Sequence, residues 1–545
     1  MKRIGLALAL VCLTACGGAV ESPSSDETQQ PPWFVEQAAE RGLNFTYRSG
    51  HDGRHLFREI VGGGTALFDM DGDGDLDAYL VQGEGENRLF ENDGSGRFAD
   101  VTEGSGANDG GYGMGVAAGD YDNDGDVDLY VTNVGPNTLL RNDGGGRFSD
   151  VTTAAGAAGN GWGTSALFVD HDRDGDLDLF VANYINWSPE TESDCYNTAG
   201  QPDYCLPNHY NAPAIDTLLR NNGDGSFRDV TVELGLNRSF GNGLGAVADD
   251  FTGDGRIDLF VANDVMLNQL WVQQPDGSFV DESLMRGCAL DEHGIAKSGM
   301  GVDAEDFDAD GDVDLIVVNL ETQTDSFFRN DGGTFKDRTG SIGLGTDSRT
   351  FTRFGIGLVD FNHDGAFDLY HANGRVTRTT EPFSDDPYAE PNMIFEGTSD
   401  GRLHSRTPRG GTLKPTIASS RGAAFGDVDG DGAVDVLVVN RDAPASLFLN
   451  VVEQRGHWLR IRALEKNGRD AIGARLRLEA NGTAQQRSIR SGYSYCSANE
   501  MIAHFGLGSI TQVDRLVVTW PDGEEERYGP FDADQLLTLR QGEGS

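Results

Sequence analysis

Basic residues are scarce in this 545-residue chain: 42 Lys and Arg stand against 88 Asp and Glu, for a formal charge of −46. A surface of that sign repels a phosphate backbone, which argues against nucleic acid as a partner. Long apolar runs are missing too. After the first 15 residues no stretch approaches 18 consecutive apolar positions, the length a membrane-spanning helix needs. Cysteine is sparse, six in all, with no Cys-x-x-Cys and no zinc-like spacing. Gly-x-Ser-x-Gly, His-Glu-x-x-His and a phosphate-binding glycine loop are all absent. The ten histidines are scattered, and only His209 and His504 sit where a role invites inspection. His504 reads first as a structural partner within a β-sandwich-like domain.

What is present, seven times, is a nine-residue acidic loop. The copies supply Asp69, Asp71, Asp73, Asp75 and Asp77; Asp120, Asp122, Asp124, Asp126 and Asp128; and Asp170, Asp172, Asp174, Asp176 and Asp178. A fourth, weaker copy has Asp250, Thr252, Asp254 and Asp258. The fifth has Asp306, Asp308, Asp310, Asp312 and Asp314; the sixth Asp360, Asn362, Asp364 and Asp368; the seventh Asp427, Asp429, Asp431 and Asp435. Each carries an oxygen side chain at positions 1, 3, 5 and 9 and a glycine at position 6. Ca²⁺ takes six to eight oxygens at about 2.3–2.6 Å, and a glycine turn lets both arms of a loop reach one ion. The alternative for any single copy is a solvated acidic turn. Six or seven Ca²⁺ per chain are expected, bound by these side chains and a position-7 carbonyl, with affinity in the extracellular range of about 10⁻⁴–10⁻³ M.

The flanks repeat as well. A small-residue run precedes each loop, as in Gly113–Gly119, and a β-branched run follows it, as in Leu129-Tyr130-Val131-Thr132. Next come Asn137–Asn142, an Asp-Gly turn and Gly146–Thr152. That is four short strands per unit. Loop starts lie 51, 50, 80, 56, 54 and 67 residues apart, a period near that of a propeller blade with two insertions. The fold class expected is therefore all-β, a seven-bladed β-propeller, with the acidic loop between the first and second strands of each blade. EF-hands are excluded by the lack of flanking helices and of a position-12 glutamate. Repeat seven lacks a fourth strand, whereas a lone copy, Phe34-Val35-Glu36-Gln37, precedes repeat one. The N-terminal strand is predicted to complete the last blade and close the ring, which removes unpaired edges.

These repeats resemble the FG-GAP/VCBS repeats of integrin α-subunit propellers. The C-terminal segments Trp458-Leu459-Arg460-Ile461, Ile472-Gly473-Ala474-Arg475, Ile489–Tyr493, His504–Gly508 and Trp520-Pro521-Asp522-Gly523 resemble an ASPIC/UnbV domain. Together the match is to bacterial members of the cartilage acidic protein family, from about residue 33 onward. The chain departs from that pattern at Tyr495-Cys496 and in the fourth loop.

The expected organisation is a lipoprotein signal over 1–15, a flexible tether over 16–32, the propeller over 33–450 and a small β-rich domain over 451–540. Met1-Lys2-Arg3, an apolar stretch and Leu13-Thr14-Ala15-Cys16 form a lipobox-like signal, in which Cys16 becomes the lipidated first residue. Gly17, not Asp, follows, which favours an outer-membrane destination in a Gram-negative cell. In an oxidising compartment the Cys195-x₉-Cys205 pair is expected as a disulfide inside the 184–216 insertion. Cys288 and Cys496 either pair or stay as buried thiols, and the sequence leaves both open. From Arg455 to Arg490 nine basic residues face three acidic ones. Arg460, Arg462, Arg475 and Arg477 alternate as on one face of a sheet that docks on the acidic propeller or, alternatively, meets anionic glycans or lipid.

The function implied is an exported, lipid-anchored, calcium-binding propeller of the cell envelope or cell surface. It acts as a binding or adhesion module for a protein or glycan at its rim, chiefly through the insertion, and meets the membrane through its lipid alone. No catalytic residue is assigned. The rival reading, an extracytoplasmic glycan-modifying enzyme, requires a cluster of Lys, Arg, His or Tyr at one mouth of the ring, and none is evident in the sequence.

Overall fold

A computed structural model describes residues 30–545; the signal stretch, Cys16 and the tether to residue 29 lie outside the described residues. Seven antiparallel blades follow one another, four-stranded except the seventh, which Glu390–Pro391 widens to five strands. Blade 1 consists of Thr65–Phe68, Asp77–Leu80, Arg88–Asn92 and Phe98–Asp100. The innermost strands of blades 2 to 6 are Gly113–Gly119, Gly163–Val169, Gly243–Asp249, Val302–Glu305 and Arg353–Val359. Blade 7 is built from Ile417–Gly426, Asp435–Arg441 and Ser446–Asn450, and its outer strand is Phe34–Glu36 from the other end of the chain. Phe34 pairs with Asn450 and Glu36 with Phe448. The buried Phe34 ring meets Phe361 and Tyr370 of blade 6, with centroids 5.1 and 5.9 Å away. Innermost strands touch their neighbours all round, blade 7 to blade 1 included.

Small residues line the axis because adjacent backbones nearly touch there. A Cβ on Gly115 would lie 2.6 Å from the Thr164 carbonyl of the next blade, below any real contact distance.

A second link joins the blades farther out. At the end of every third strand but that of blade 6 an amide side chain donates to the position-2 carbonyl of the preceding blade's acidic loop. The bonds run Asn142 to Met70 (2.7 Å), Asn221 to Tyr121 (2.8 Å), Gln273 to His171 (2.6 Å) and Asn330 to Phe251 (2.9 Å). Asn450 to Phe361 (2.9 Å) and Asn92 to Val428 (2.8 Å) carry the series across the ring closure. Blade 6 has Gly397 at this place, because any Cβ there would strike the Phe367 carbonyl. The blade 5–6 seam is instead packed by Phe307 against Phe367, nearly parallel at 14°.

The C-terminal part forms a three-stranded sheet (Ala503–Gly508, His457–Leu464, Gln535–Arg540) facing a four-stranded one (Thr483–Ser488, Arg475–Ala480, Arg515–Thr519, Glu525–Tyr528). Its last residues stay attached past the expected end at 540, with Ser545 N–H donating to the Arg527 carbonyl. Between its strands, Arg490–Glu500 leaves the domain and enters the axial channel. Ala498 exchanges backbone bonds with Thr65 and Leu67 of blade 1, and the Cys496 carbonyl accepts from Val116 of blade 2. Ser494 exchanges bonds with Val302 of blade 5, and its Oγ accepts from Ile356 of blade 6 at 3.0 Å. Cys496 N–H donates to Ser165 Oγ of blade 3 at 3.1 Å, and Asn499 Oδ1 accepts from Phe425 of blade 7 at 3.0 Å. Arg490 pairs with Asp249 of blade 4 at 3.2 Å. The plug thus satisfies inner-strand groups that an open channel would leave to water.

Asn142 is fully buried, and both its Nδ2 bonds go to loop carbonyls. Replacing Asn142 with Ala is expected to cost about 2–3 kcal/mol, from two lost bonds and the carbonyls they leave bare. Replacing Asn222, on the exposed turn beside Asn221, should be near neutral. Urea denaturation of the two variants is the check, and equal midpoints would show that the amide link carries no stability.

Candidate metal centres and the domain that covers them

All seven acidic loops fold alike. The position-6 glycine is left-handed in each, with φ between 87° and 97°, at Gly74, Gly125, Gly175, Gly255, Gly311, Gly365 and Gly432. Its N–H donates to the position-1 carboxylate at 2.8–3.2 Å every time. Position 4 is left-handed as well, even where it is Asn123, Arg173, Ala309 or His363, a feature the sequence reading passed over.

The position-9 aspartate anchors the cage. One oxygen accepts from the N–H of position 2 (Met70, Tyr121, His171, Phe307, Phe361, Val428), or of Thr252 at position 3 in loop four. The other accepts from the N–H that ends the third strand, for example Asn142 to Asp128 at 2.7 Å. Burial nevertheless pushes these acids up: Asp77 and Asp258 to about 7, Asp314 to about 8 and Asp128 to about 9, with the loop's other carboxylates adding to the shift. Asp368 and Asp435 rise well above the usual value for the same reasons. At position 1, burial lifts Asp120 and Asp306 to about 6 and Asp170 and Asp360 to about 7.

Positions 1, 3 and 9 converge. Oxygens of Asp69, Asp71 and Asp77 lie within 4.8 Å of one another, as do those of Asp120, Asp122 and Asp128. Oxygens of Asp170, Asp172 and Asp174 cluster likewise. Several have no hydrogen-bond partner although buried: Asp122 Oδ1, Asp170 Oδ1, Asp172 Oδ1, Thr252 Oγ1 and Asp306 Oδ1. Unpaired buried oxygens of this kind cost free energy unless a cation or proton meets them. The donor set is almost wholly hard oxygen, which fits Ca²⁺ and not zinc. Position-7 side chains also lie against neighbouring turns. Asp312 accepts from Gly332 in the adjacent turn at 2.7 Å, Asp176 accepts from Asn123 at 2.7 Å, and Asp75 and Asp126 lie beside the turn glycines Gly94 and Gly144. In loop four Arg256 and Arg475 sit on Asp254 and Asp250, so guanidinium charge already offsets part of its acidity.

The C-terminal domain covers this face. Arg460 binds Asp427 at 2.6 Å, Arg455 binds Asp431 at 2.7 Å and Arg462 lies 3.8 Å from Asp69. Arg469 donates to Asn123 of loop two and to the Gly175 carbonyl of loop three. Gln486 reaches the Gly311 carbonyl of loop five at 3.3 Å. The Gly456 and Gly508 amides donate to the Asn362 and His363 carbonyls of loop six. The basic stretch therefore docks on the propeller, except Arg477 and Lys466, which pair within the terminal domain with Glu479 at 3.2 Å and Glu524 at 3.0 Å. His504 lies half-buried in the same seam, its ring 4.9 Å from His363, and desolvation holds it well below its ordinary value. His209 is exposed on a short helix.

Cys195 and Cys205 form a disulfide, and Cys288 and Cys496 are free and buried. Among the described residues no helix is long and apolar enough to cross a membrane.

The FG-GAP-like repeat model matches residues 69–131, 120–181, 196–261, 250–317 and 306–371, and the ASPIC and UnbV model matches 464–545. Cartilage acidic protein 1 of Xenopus tropicalis is 30% identical over 311 residues, 54% of this chain and 44% of that protein. The mouse protein of that name is 28% identical over 355 residues, 54% of each chain. The chain thus spans about half the length of the curated relatives it matches. Among solved structures, an Agrocybe aegerita lectin that recognises non-reducing terminal N-acetylglucosamine covers 70% of this chain at 16% identity. Its TM-score of 0.37 bears on neither fold nor ligand here. FG-GAP repeats are often calcium-binding and typically belong to extracellular or surface proteins. With its repeats and its terminal domain taken together, the chain belongs to the FG-GAP-like repeat family, ends in an ASPIC and UnbV domain, and is homologous to cartilage acidic protein 1 over about half its length.

Proposed function

We propose that the protein is a lipid-anchored, calcium-dependent binding module of the bacterial cell envelope, most simply the outer membrane, with a protein or glycan as its partner. The observation that carries the calcium reading is the set of buried, unpartnered oxygens at loop positions 1 and 3. Bound calcium would supply the positive charge and oxygen coordination that these groups lack. Positions 1, 3, 5 and 9 and the position-7 carbonyl would hold six or seven ions, and loop four, with Thr252 and two guanidiniums, would fill last. The role is structural: an ion that binds only the folded state stabilises it by mass action.

This reading fixes a pH dependence. An acid whose folded-state value is raised stabilises the fold below its unfolded value, near 4, and loses that contribution as pH rises through the folded value. Metal-free protein should therefore lose stability between pH 6.5 and 9, the window set by Asp77, Asp314 and Asp128. Buried His371, held at about 4, has the opposite sign but is already neutral there. In EDTA the melting temperature is expected to fall by at least about 5 °C across this window, the order of a few kcal/mol in a domain of this size. With calcium the fall should shrink to the part contributed by Glu390, Asp216 and Glu305, buried acids outside the loops raised to about 8, about 7 and about 7, because ligation needs the deprotonated carboxylate. Identical melting curves with and without calcium at pH 8 would refute the metal reading.

Partner binding is tested by a glycan and protein-partner screen with the purified protein, with and without calcium. Hits expected in calcium should weaken severalfold in EDTA. Turnover of a glycan would instead favour the enzyme reading.

The anchor rests on the lipobox ending in Cys16 and on the 16–32 tether. Two or three acyl chains give stable attachment where one does not. Replacing Cys16 with Ser should shift the folded protein into the soluble fraction. Retention on membranes after a high-salt wash would mean that another segment is the anchor.

A further inference from the structure

The mouth of the ring opposite the acidic loops is also covered, by the insertion between the second and third strands of blade 3. Its Asp203 accepts from the Tyr388 hydroxyl and the Arg378 amide of blade 6, both at 2.8 Å. Its Tyr204 donates to Glu59 at 3.1 Å, and its Glu192 accepts from the Phe57 amide at 2.8 Å. The disulfide-closed hairpin thus crosses the mouth and is pinned on the far side.

Beneath it lies a cavity of about 260 Å³, lined by His51, His55, Tyr204, Arg378, Tyr388 and Arg441 among others. This is the Arg, His and Tyr cluster that the sequence did not reveal. Arg441 has a side chain only 5% exposed, yet its Nε and Nη1 have no hydrogen-bond partner. The nearest carboxylates, Asp386 and Asp442, are both 3.8 Å away, beyond hydrogen-bond reach. Each is engaged elsewhere: Asp386 accepts from Ser419 Oγ and the Tyr388 amide, and Asp442 from the amide and hydroxyl of Ser49. Arg441 instead faces the rings of Tyr388 and Tyr204, at 4.7 and 5.5 Å. Arg378 Nε is likewise buried and unpartnered.

Positive charge accumulates behind this wall. Arg421 is fully buried and donates only to carbonyls, those of Ile60, Gly374, Arg375 and Ser420. Burial, and then the neighbouring Arg441, bring it down to about 9. A guanidinium that is desolvated and left without a hydrogen-bonding anion is costly, and a ligand carboxylate is the group that matches its fork.

We propose that this cavity binds a carboxylated sugar residue, a uronate at a chain end, with its carboxylate on Arg441 and its ring against Tyr204 and Tyr388. A single charge suits the site, since Asp386 and Asp442 beside Arg441 would repel a dianionic phosphate. Those two carboxylates, with His51 and His55, offer partners for ring hydroxyls. The volume lies just under the ~300–1,000 Å³ of pockets that enclose drug-sized ligands, which favours one terminal residue over a threaded peptide. The inference rests on the binding-module reading and names the ligand class for it.

The test is calorimetric titration of the calcium-loaded protein with glucuronate- and galacturonate-ended oligosaccharides, against the matching neutral sugars, sugar phosphates and a peptide with a free C-terminal carboxylate. Uronides should bind at least tenfold more tightly than all of these. Arg441→Gln should abolish that preference, and His55→Ala, at the half-exposed edge, should weaken binding about threefold or more without lowering the melting temperature. Equal binding of neutral sugars, phosphates or the peptide would overturn the assignment, as would uronide binding that both variants leave intact. If uronides fail while the wider screen still yields a partner, this inference falls and the binding-module reading stands. If nothing binds in either experiment, both fall.

Discussion

A buried carboxylate at position 9 of each acidic loop is the constraint on which the rest of this molecule depends. Both oxygens accept backbone N–H groups, one from the start of the loop and one from the end of the third strand. The aspartate therefore fixes where the hairpin begins and where the next strand lies beside it. The same third-strand end carries the amide that reaches the previous blade, so loop shape and blade-to-blade docking are set at one point. Neutral residues there would keep the strands but lose the hydrogen bonds. Charge is retained at the cost of desolvation, which only a proton, a cation or a guanidinium offsets.

That need for positive charge explains the terminal domain's place. Its arginines meet the aspartates at positions 1 and 5, while its backbone meets loop six. Position-1 carboxylates give Oδ2 to the glycine amide, and in loops four and seven to an arginine as well. In those two loops Oδ1 accepts the position-5 amide, Asp254 to Asp250 at 3.0 Å and Asp431 to Asp427 at 3.1 Å. The plug extends the same logic inward, since inner strands crowded by small residues have no side chains long enough to fill the axis. Tyr495 does so from outside, with its hydroxyl donating to the Val61 carbonyl at 2.6 Å and its ring 4.9 Å from Phe354. The plug thus shares hydrogen bonds with every blade of the propeller.

The sequence was legible where the determinants are local. Oxygen at positions 1, 3, 5 and 9 and glycine at 6 follow from one turn, and the missing fourth strand of repeat seven points directly to Phe34–Glu36. Alternating arginines, read against an acidic propeller, indicated docking before any contact was known. The plug was not legible. Ser491 to Glu500 is a short run of small and polar residues whose partners lie up to 434 positions away, as in the Tyr495–Val61 bond. The mouth cluster was hidden for the same reason: His51, Tyr204, Arg378 and Arg441 come from four segments that only the closed ring brings together.

The two faces of the ring therefore divide the work. One face is acidic by composition, and the chain's own terminal domain occupies it, so the loop carboxylates are an internal interface. Binding of an ion there acts on stability and reaches other sites only through the rigidity of the blades. The opposite face holds the buried arginines, and the segment covering it is not a sheet domain but a hairpin pinned by a few side-chain bonds. A surface that keeps unpartnered guanidinium groups under such a cover is under-satisfied as it stands. In a chain whose net charge is −46, an arginine whose nearest carboxylates stay 3.8 Å away is a place where a ligand anion has something to add.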